Sequence, residues 1–171
     1  NASLLIRQGK IVAIGNNISI PKGAVVVDCK GKYIYPAFID LYTDYGITAP
    51  ERQQNAGGFF RTQQIASNTK GAYGWNQSIK SETDAYKIFS ADDAKAKSLR
   101  DIGFGAVLTH QKDGIARGTG AFVTLAGQAD NLVIIKERAS ANYSFNRGTS
   151  SQSYPSSMMG MIALLRQTYL D

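Results

Sequence analysis

The sequence predicts an α/β fold from three observations. The opening holds short aliphatic runs cut by turn residues, a continuous apolar run follows at Ala37 to Leu41, and a capped helix feeds a further apolar run that ends in the sole histidine, His110.

In the opening, "SLLIR", "KIVAIG" and "AVVVDC" are rich in β-branched and aliphatic residues and are separated by Gln8-Gly9, by "GNN" and by Pro21-Lys22-Gly23, which reads as a small β-meander. After Lys30-Gly31, Ala37 to Leu41 is interrupted only by Asp40, the pattern of a strand buried on both faces. Residues 48–89 read as a long connection rich in Gly, Asn, Gln and aromatics. Ser90-Ala91-Asp92-Asp93 has the layout of a capping box and Gly103 is a stop signal, so a helix is expected over Ala91 to Ile102. "FGAVLTH" is the next buried strand, and with the helix before it the order suggests a parallel arrangement. "AFVTLAG" and "NLVIIKER" flank Gln128-Ala129-Asp130 as a hairpin. A polar loop then leads to a helix over Ser157 to Tyr169 with Met158, Ile162, Leu165 and Tyr169 on one stripe.

The chain has 171 residues, 43% of them hydrophobic, enough for an ordinary core. Nineteen Lys and Arg against 13 Asp and Glu give a net charge of +6, yet the basic residues are spread from Arg7 to Arg166 with no two adjacent. Such diffuse charge argues against a nucleic-acid groove or a membrane surface. No apolar run approaches the roughly 18 residues of a membrane span, so a soluble chain is expected. The compartment stays open. The first residues lack both an initiating Met and a signal-peptide layout, so an upstream segment is expected to have been removed, which is compatible with export. Cys29 is the single cysteine, which excludes an internal disulfide and a multi-cysteine metal site. Asn-X-Ser triplets stand at Asn1, Asn17, Asn76 and Asn142.

The stretch "LLIRQGKIVAIGNN", followed by "IPKGAVVVDCKGKYIYPAFIDL", resembles the amino-terminal part of the amidohydrolase superfamily, which includes imidazolonepropionases, dihydroorotases and isoaspartyl dipeptidases. The family's Pro-Gly-Phe-Ile-Asp-x-His-x-His motif stands here as Pro36-Ala37-Phe38-Ile39-Asp40-Leu41-Tyr42-Thr43-Asp44. The resemblance implies a partial β-sandwich over 1–35 followed, over 36–171, by the first elements of a (β/α)8 TIM-like barrel. A whole barrel takes about 250 residues, so a fragment is expected, completed by the rest of a parent chain or by self-association.

The family's chemistry is hydrolysis of C–N bonds other than peptide bonds by a metal-activated water, and a divalent metal such as zinc is implied for the parent family. Tyr42 and Asp44 occupy the two ligand positions. A phenol that titrates near ~10 is a poor zinc ligand, so no cofactor is expected in this chain and the chain alone is expected to be inactive. Tyr42 and Asp44 are read as strand-end residues bonding to neighbouring loops. The alternative function, from another class, is a non-catalytic scaffold that binds a small molecule or a partner.

Further site candidates follow from position. His110, at the carboxyl end of a predicted strand, is the foremost candidate for catalysis or substrate contact, with Asp113 three residues on to orient it. "GIARGTGAF" offers Arg117 among Gly114, Gly118 and Gly120, read as a Gly-permitted turn or as a backbone nest for an anion. Tyr73 and Trp75 in "GAYGWN" can stack on a ligand or plug a loop. Without a G-x-S-x-G elbow or a second histidine, a serine-hydrolase triad has no basis.

Overall fold

The computed structural model describes residues 2–51, 67 and 74–170. The fold is mixed α/β, with one two-stranded and one four-stranded sheet. The chain divides into two compact units, Asn1–Tyr35 and Pro36–Asp171.

In the first unit, β1 (Ser3–Arg7) and β2 (Lys10–Gly15) pair antiparallel, with Arg7 opposite Lys10. Gln8 and Gly9 close the hairpin at φ 51° and 71°. Two successive positive φ values are those of a type I′ turn, whose twist matches that of the strands it joins. The third expected strand, "AVVVDC", is not formed. Turns flank it as expected, but its backbone finds no ladder partner among the described residues, and Val25 stands 90% exposed. β-propensity yields a strand only where another edge receives its N–H and C=O groups.

In the second unit, β3 (Phe38–Thr43), β4 (Phe104–Thr109), β5 (Ala116–Thr124) and β6 (Ile134–Tyr143) lie in the order β3-β4-β5-β6. Only β3 and β4 are parallel, and the remaining pairs are antiparallel. The parallel expectation therefore holds for one pair. β3 forms where the apolar run stood, but it is an edge strand rather than a doubly buried one, with Phe38, Ile39 and Leu41 exposed.

Between β3 and β4 lie α1 (Ala85–Ile88) and α2 (Asp93–Asp101). The cap of α2 is Asp92, whose carboxylate accepts from Lys95 N at 3.0 Å, and not Ser90 as the capping-box reading placed it. Asp92 meets the same requirement two residues later, with Asp93 in the first turn. Gly103, at φ 104°, ends the helix as expected. Asp84, just before α1, takes a two-pronged bond from Arg138 on β6 at 2.9 and 2.8 Å and a third from Thr119, tying α1 across the sheet. Arg138, with Lys87 and Thr119, holds the Asp84 carboxyl well below its usual range.

The main core gathers Tyr45, Ala85, Phe89, Ala96, Val107, Ala121, Val123, Leu125 and Val133. α3 (Asp130–Val133) fills the β5–β6 connection that read as a plain hairpin turn. "GIARGTG" is no turn either, since β5 begins at Ala116 and accommodates Gly118 at φ 77°. A smaller cluster of Ile79, Ile115, Ala116 and Leu164 anchors α4 (Met158–Leu170). The face of α4 turned inward is Met161, Leu164, Leu165 and Thr168, while Met158, Ile162 and Tyr169 are exposed. The helix is apolar nearly all round, so periodicity alone did not choose between adjacent stripes.

Candidate functional site

The carboxyl ends of β3 and β4 lie side by side, and His110 N donates to Thr43 O at 3.0 Å. This places Tyr42 and Asp44 next to His110 and Lys112. The Tyr42 ring meets the His110 ring nearly edge-on, with centroids 5.0 Å apart. β5 runs antiparallel to β4 and starts beyond its end, because Thr109 pairs with Ala121. Arg117, four residues earlier, therefore extends past the end of β4 and reaches Tyr42.

Arg117 is only 5% exposed, and three neutral oxygens receive its donors. Nε donates to Gly114 O at 3.1 Å, one terminal nitrogen to the Tyr42 hydroxyl at 2.9 Å and the other to Ser144 Oγ at 2.9 Å. No described carboxylate forms an ion pair with it. Lys112 pairs with Asp44 at 3.4 Å and lies 4.7 Å above the Tyr42 ring. His110 is fully buried, and neither of its ring nitrogens has a hydrogen-bond partner among the described residues. Burial lowers the pKa of the imidazole below its ordinary value, Arg117 and Lys112 lower it further, and Asp44 opposes them.

Asp113 does not orient His110. Its carboxylate is taken by Lys80, in an ion pair, and by Thr149, whose N–H and hydroxyl donate at 2.6 and 2.9 Å. Three of the N–H groups in "GIARGTGAF" are taken by backbone carbonyls and are not free to line an anion nest. Ile115 N and Ala116 N donate to Ser78 O, and Thr119 N donates to Thr83 O. Trp75 packs against the small cluster around Leu164, and its carbonyl accepts from Gln152 at 2.8 Å, so it serves as a plug in that cluster. Tyr73 lies outside the described residues. Asn76 is fully buried, which closes its Asn-X-Ser triplet to a sugar in the folded chain.

Sequence reasoning missed Lys80, Ser144 and Thr149. Each reaches its partner across at least 27 positions in sequence, and no local pattern marks such a pairing.

The described residues at the ends of β3 and β4 do not suit a divalent ion. A zinc site gathers three or four N, O or S donors, and among the described residues no group of three His, Cys, Asp or Glu comes together. At the two family ligand positions, the Tyr42 oxygen already faces a guanidinium and Asp44 an ammonium. A guanidinium and an ammonium at these two positions both oppose the approach of a doubly charged cation.

No family model matches the chain, and no curated protein matches it in sequence. Among solved structures, the crystal structure of an amidohydrolase from Thermotoga maritima MSB8 is similar over 98% of this chain, with a TM-score of 0.65 and 20% sequence identity. The chain spans 42% of that protein's length. In fold, then, this chain is similar to part of an amidohydrolase.

Proposed function

We propose that this chain is the amino-terminal portion of an amidohydrolase-like protein in which the site at the ends of β3 and β4 binds a small molecule without a metal ion. One observation carries the reading: Arg117 and Lys112 hold Tyr42 and Asp44, the residues at the family's metal-ligand positions. Protein cations stand where the family's chemistry needs a bound one. On this reading the chain supplies part of a β-sandwich and the first elements of a (β/α)8 barrel. The remaining polypeptide, or a second copy, covers the exposed Val25–Val27 run and the open edge of β3.

The second reading is that the whole protein hydrolyses C–N bonds other than peptide bonds through a metal-activated water. Its support is the motif frame Pro36 to Asp44 and the similarity in fold to the Thermotoga protein. The two readings are separated by metal analysis of the natural-length protein after dialysis, together with an assay on cyclic amides and imides. The binding reading expects metal well below one equivalent and no turnover. One equivalent of bound metal accompanied by hydrolysis would replace it with the second.

A further inference from the structure

Arg117 is a buried cation without a counter-ion among the described residues. Charged side chains removed from water are paired, because the Coulomb attraction of a partner offsets the lost hydration. Arg117 has only neutral acceptors, and three bonds leave two of its five N–H groups without an acceptor among the described residues. The stretch from Arg52 to Lys80 adds Arg52, Arg61, Lys70 and Lys80 and contains no Asp or Glu, so it offers no carboxylate to complete the pair.

Beside it, His110 is buried with both ring nitrogens unpartnered among the described residues. Tyr42 is the shared neighbour, edge-on to His110 and hydroxyl-bonded to Arg117, and it is 59% exposed. Tyr42 therefore touches both a buried cation that has neutral acceptors but no carboxylate among the described residues and a buried imidazole whose nitrogens have no partner among them.

We infer that Arg117 and His110 form a receiving site for the carboxylate of a small molecule, and that Tyr42 is the group this carboxylate displaces. The planar guanidinium matches a carboxylate in shape, and its single positive charge matches a single negative charge better than a phosphate dianion. The Tyr42 hydroxyl holds the donor in place while the site is empty. Lys112 and Asp44 pair with each other at the rim and leave the balance of charge in the site positive. The inference rests on the binding reading above and names the chemistry of its ligand.

The test is calorimetric titration of the natural-length protein with succinate, acetate and inorganic phosphate at fixed ionic strength in EDTA. Saturable succinate binding is expected, weakened about tenfold or more in Arg117→Gln, since the lost bonds are charge-assisted. Tyr42→Phe is expected to bind succinate at least as tightly as the wild type, because the competing hydroxyl is gone. Should Arg117→Gln fail to fold, Tyr42→Phe carries the test, and weaker binding by that variant overturns the inference.

Absence of saturable binding to the wild type overturns it too, and points to a carboxylate elsewhere in the polypeptide as the partner of Arg117. Phosphate binding tighter than succinate overturns the assignment to carboxylates. Retained metal with hydrolysis would refute the binding reading by itself, whereas a metal-free protein that ignores succinate would refute only this inference.

Discussion

Thr149 closes on Asp113 twice, with its backbone N–H 2.6 Å from one carboxylate oxygen and its hydroxyl 2.9 Å from the other. With Lys80 on the same carboxylate, three segments distant in sequence meet at one buried charge: the loop before α1, the end of the β4–β5 connection and the loop before α4. The Asp113 that sequence reasoning assigned to His110 is a structural tie.

Removing it leaves the Lys80 ammonium and the Thr149 N–H without their acceptor. Asp113→Ala is expected to destabilise the protein by about 2–4 kcal/mol, as for the loss of one partner of a buried pair. Burial is the largest influence on Asp113 and raises its pKa, but the bonds from Lys80 and Thr149 together outweigh it, so the carboxyl sits below its ordinary value. A lowered folded value means that this stability is fully present above about pH 4 and is lost as pH falls through the folded value. Urea unfolding of wild type and variant should show a gap that narrows below about pH 4, and a gap constant with pH contradicts the assignment.

Gly118 shows why a glycine-rich segment can lie within a strand. At φ 77° it lets β5 pass the Thr83 carbonyl, which a Cβ at this position would overlap. Gly118→Ala is expected to cost about 2 kcal/mol or more, combining the strain of positive φ with displacement of the backbone at Thr83. Gly127→Ala is the control, since its added Cβ meets nothing closer than Asp93 at 3.7 Å. Thermal unfolding in which both variants match the wild type would show that β5 does not take this path.

The two candidate faces of α4 are separated by two alanine substitutions. Leu164 is 1% exposed and packs among Ile79, Ile115 and Ala116, so Leu164→Ala should lose about 2–5 kcal/mol. Ile162, on the stripe that periodicity selected, is 44% exposed, and Ile162→Ala should fall within about 1 kcal/mol of wild type. Equal losses in chemical denaturation would mean that another surface covers the Ile162 face.

What was legible in the sequence was what neighbouring residues decide. The α2 region carried acidic residues at its start and a glycine stop, and the β4 run was apolar and bounded, so both elements were located to within a residue or two. What a distant segment decides was not legible. The run Ala24 to Cys29 is dominated by three consecutive valines of high strand propensity, yet no partner edge among the described residues reaches it. Likewise, the choice of face on α4 lies with the small cluster it packs against. In the site, the motif frame located Tyr42 and Asp44, and position at a strand end singled out His110. That Arg117 reaches Tyr42 follows from the antiparallel register of β4 and β5, which no spacing in the sequence encodes.

Restoring the family's two ligands should not restore its metal. In Tyr42→His with Asp44→His, two imidazoles stand on one strand, but zinc needs three or four donors, and the His110 nitrogens are enclosed. The Arg117 and Lys112 cations also remain, and the substitution removes the Asp44 carboxylate that balanced Lys112. The double variant of this chain is therefore expected to retain zinc well below one equivalent after dialysis, measured by elemental mass spectrometry. Adding Arg117→Gln removes one repelling charge without adding a ligand, which separates the two causes. Zinc held by the triple but not the double variant would identify Arg117 as the group that excludes the ion. Failure of both would make ligand number the limit, and stoichiometric zinc in the double variant would refute both arguments.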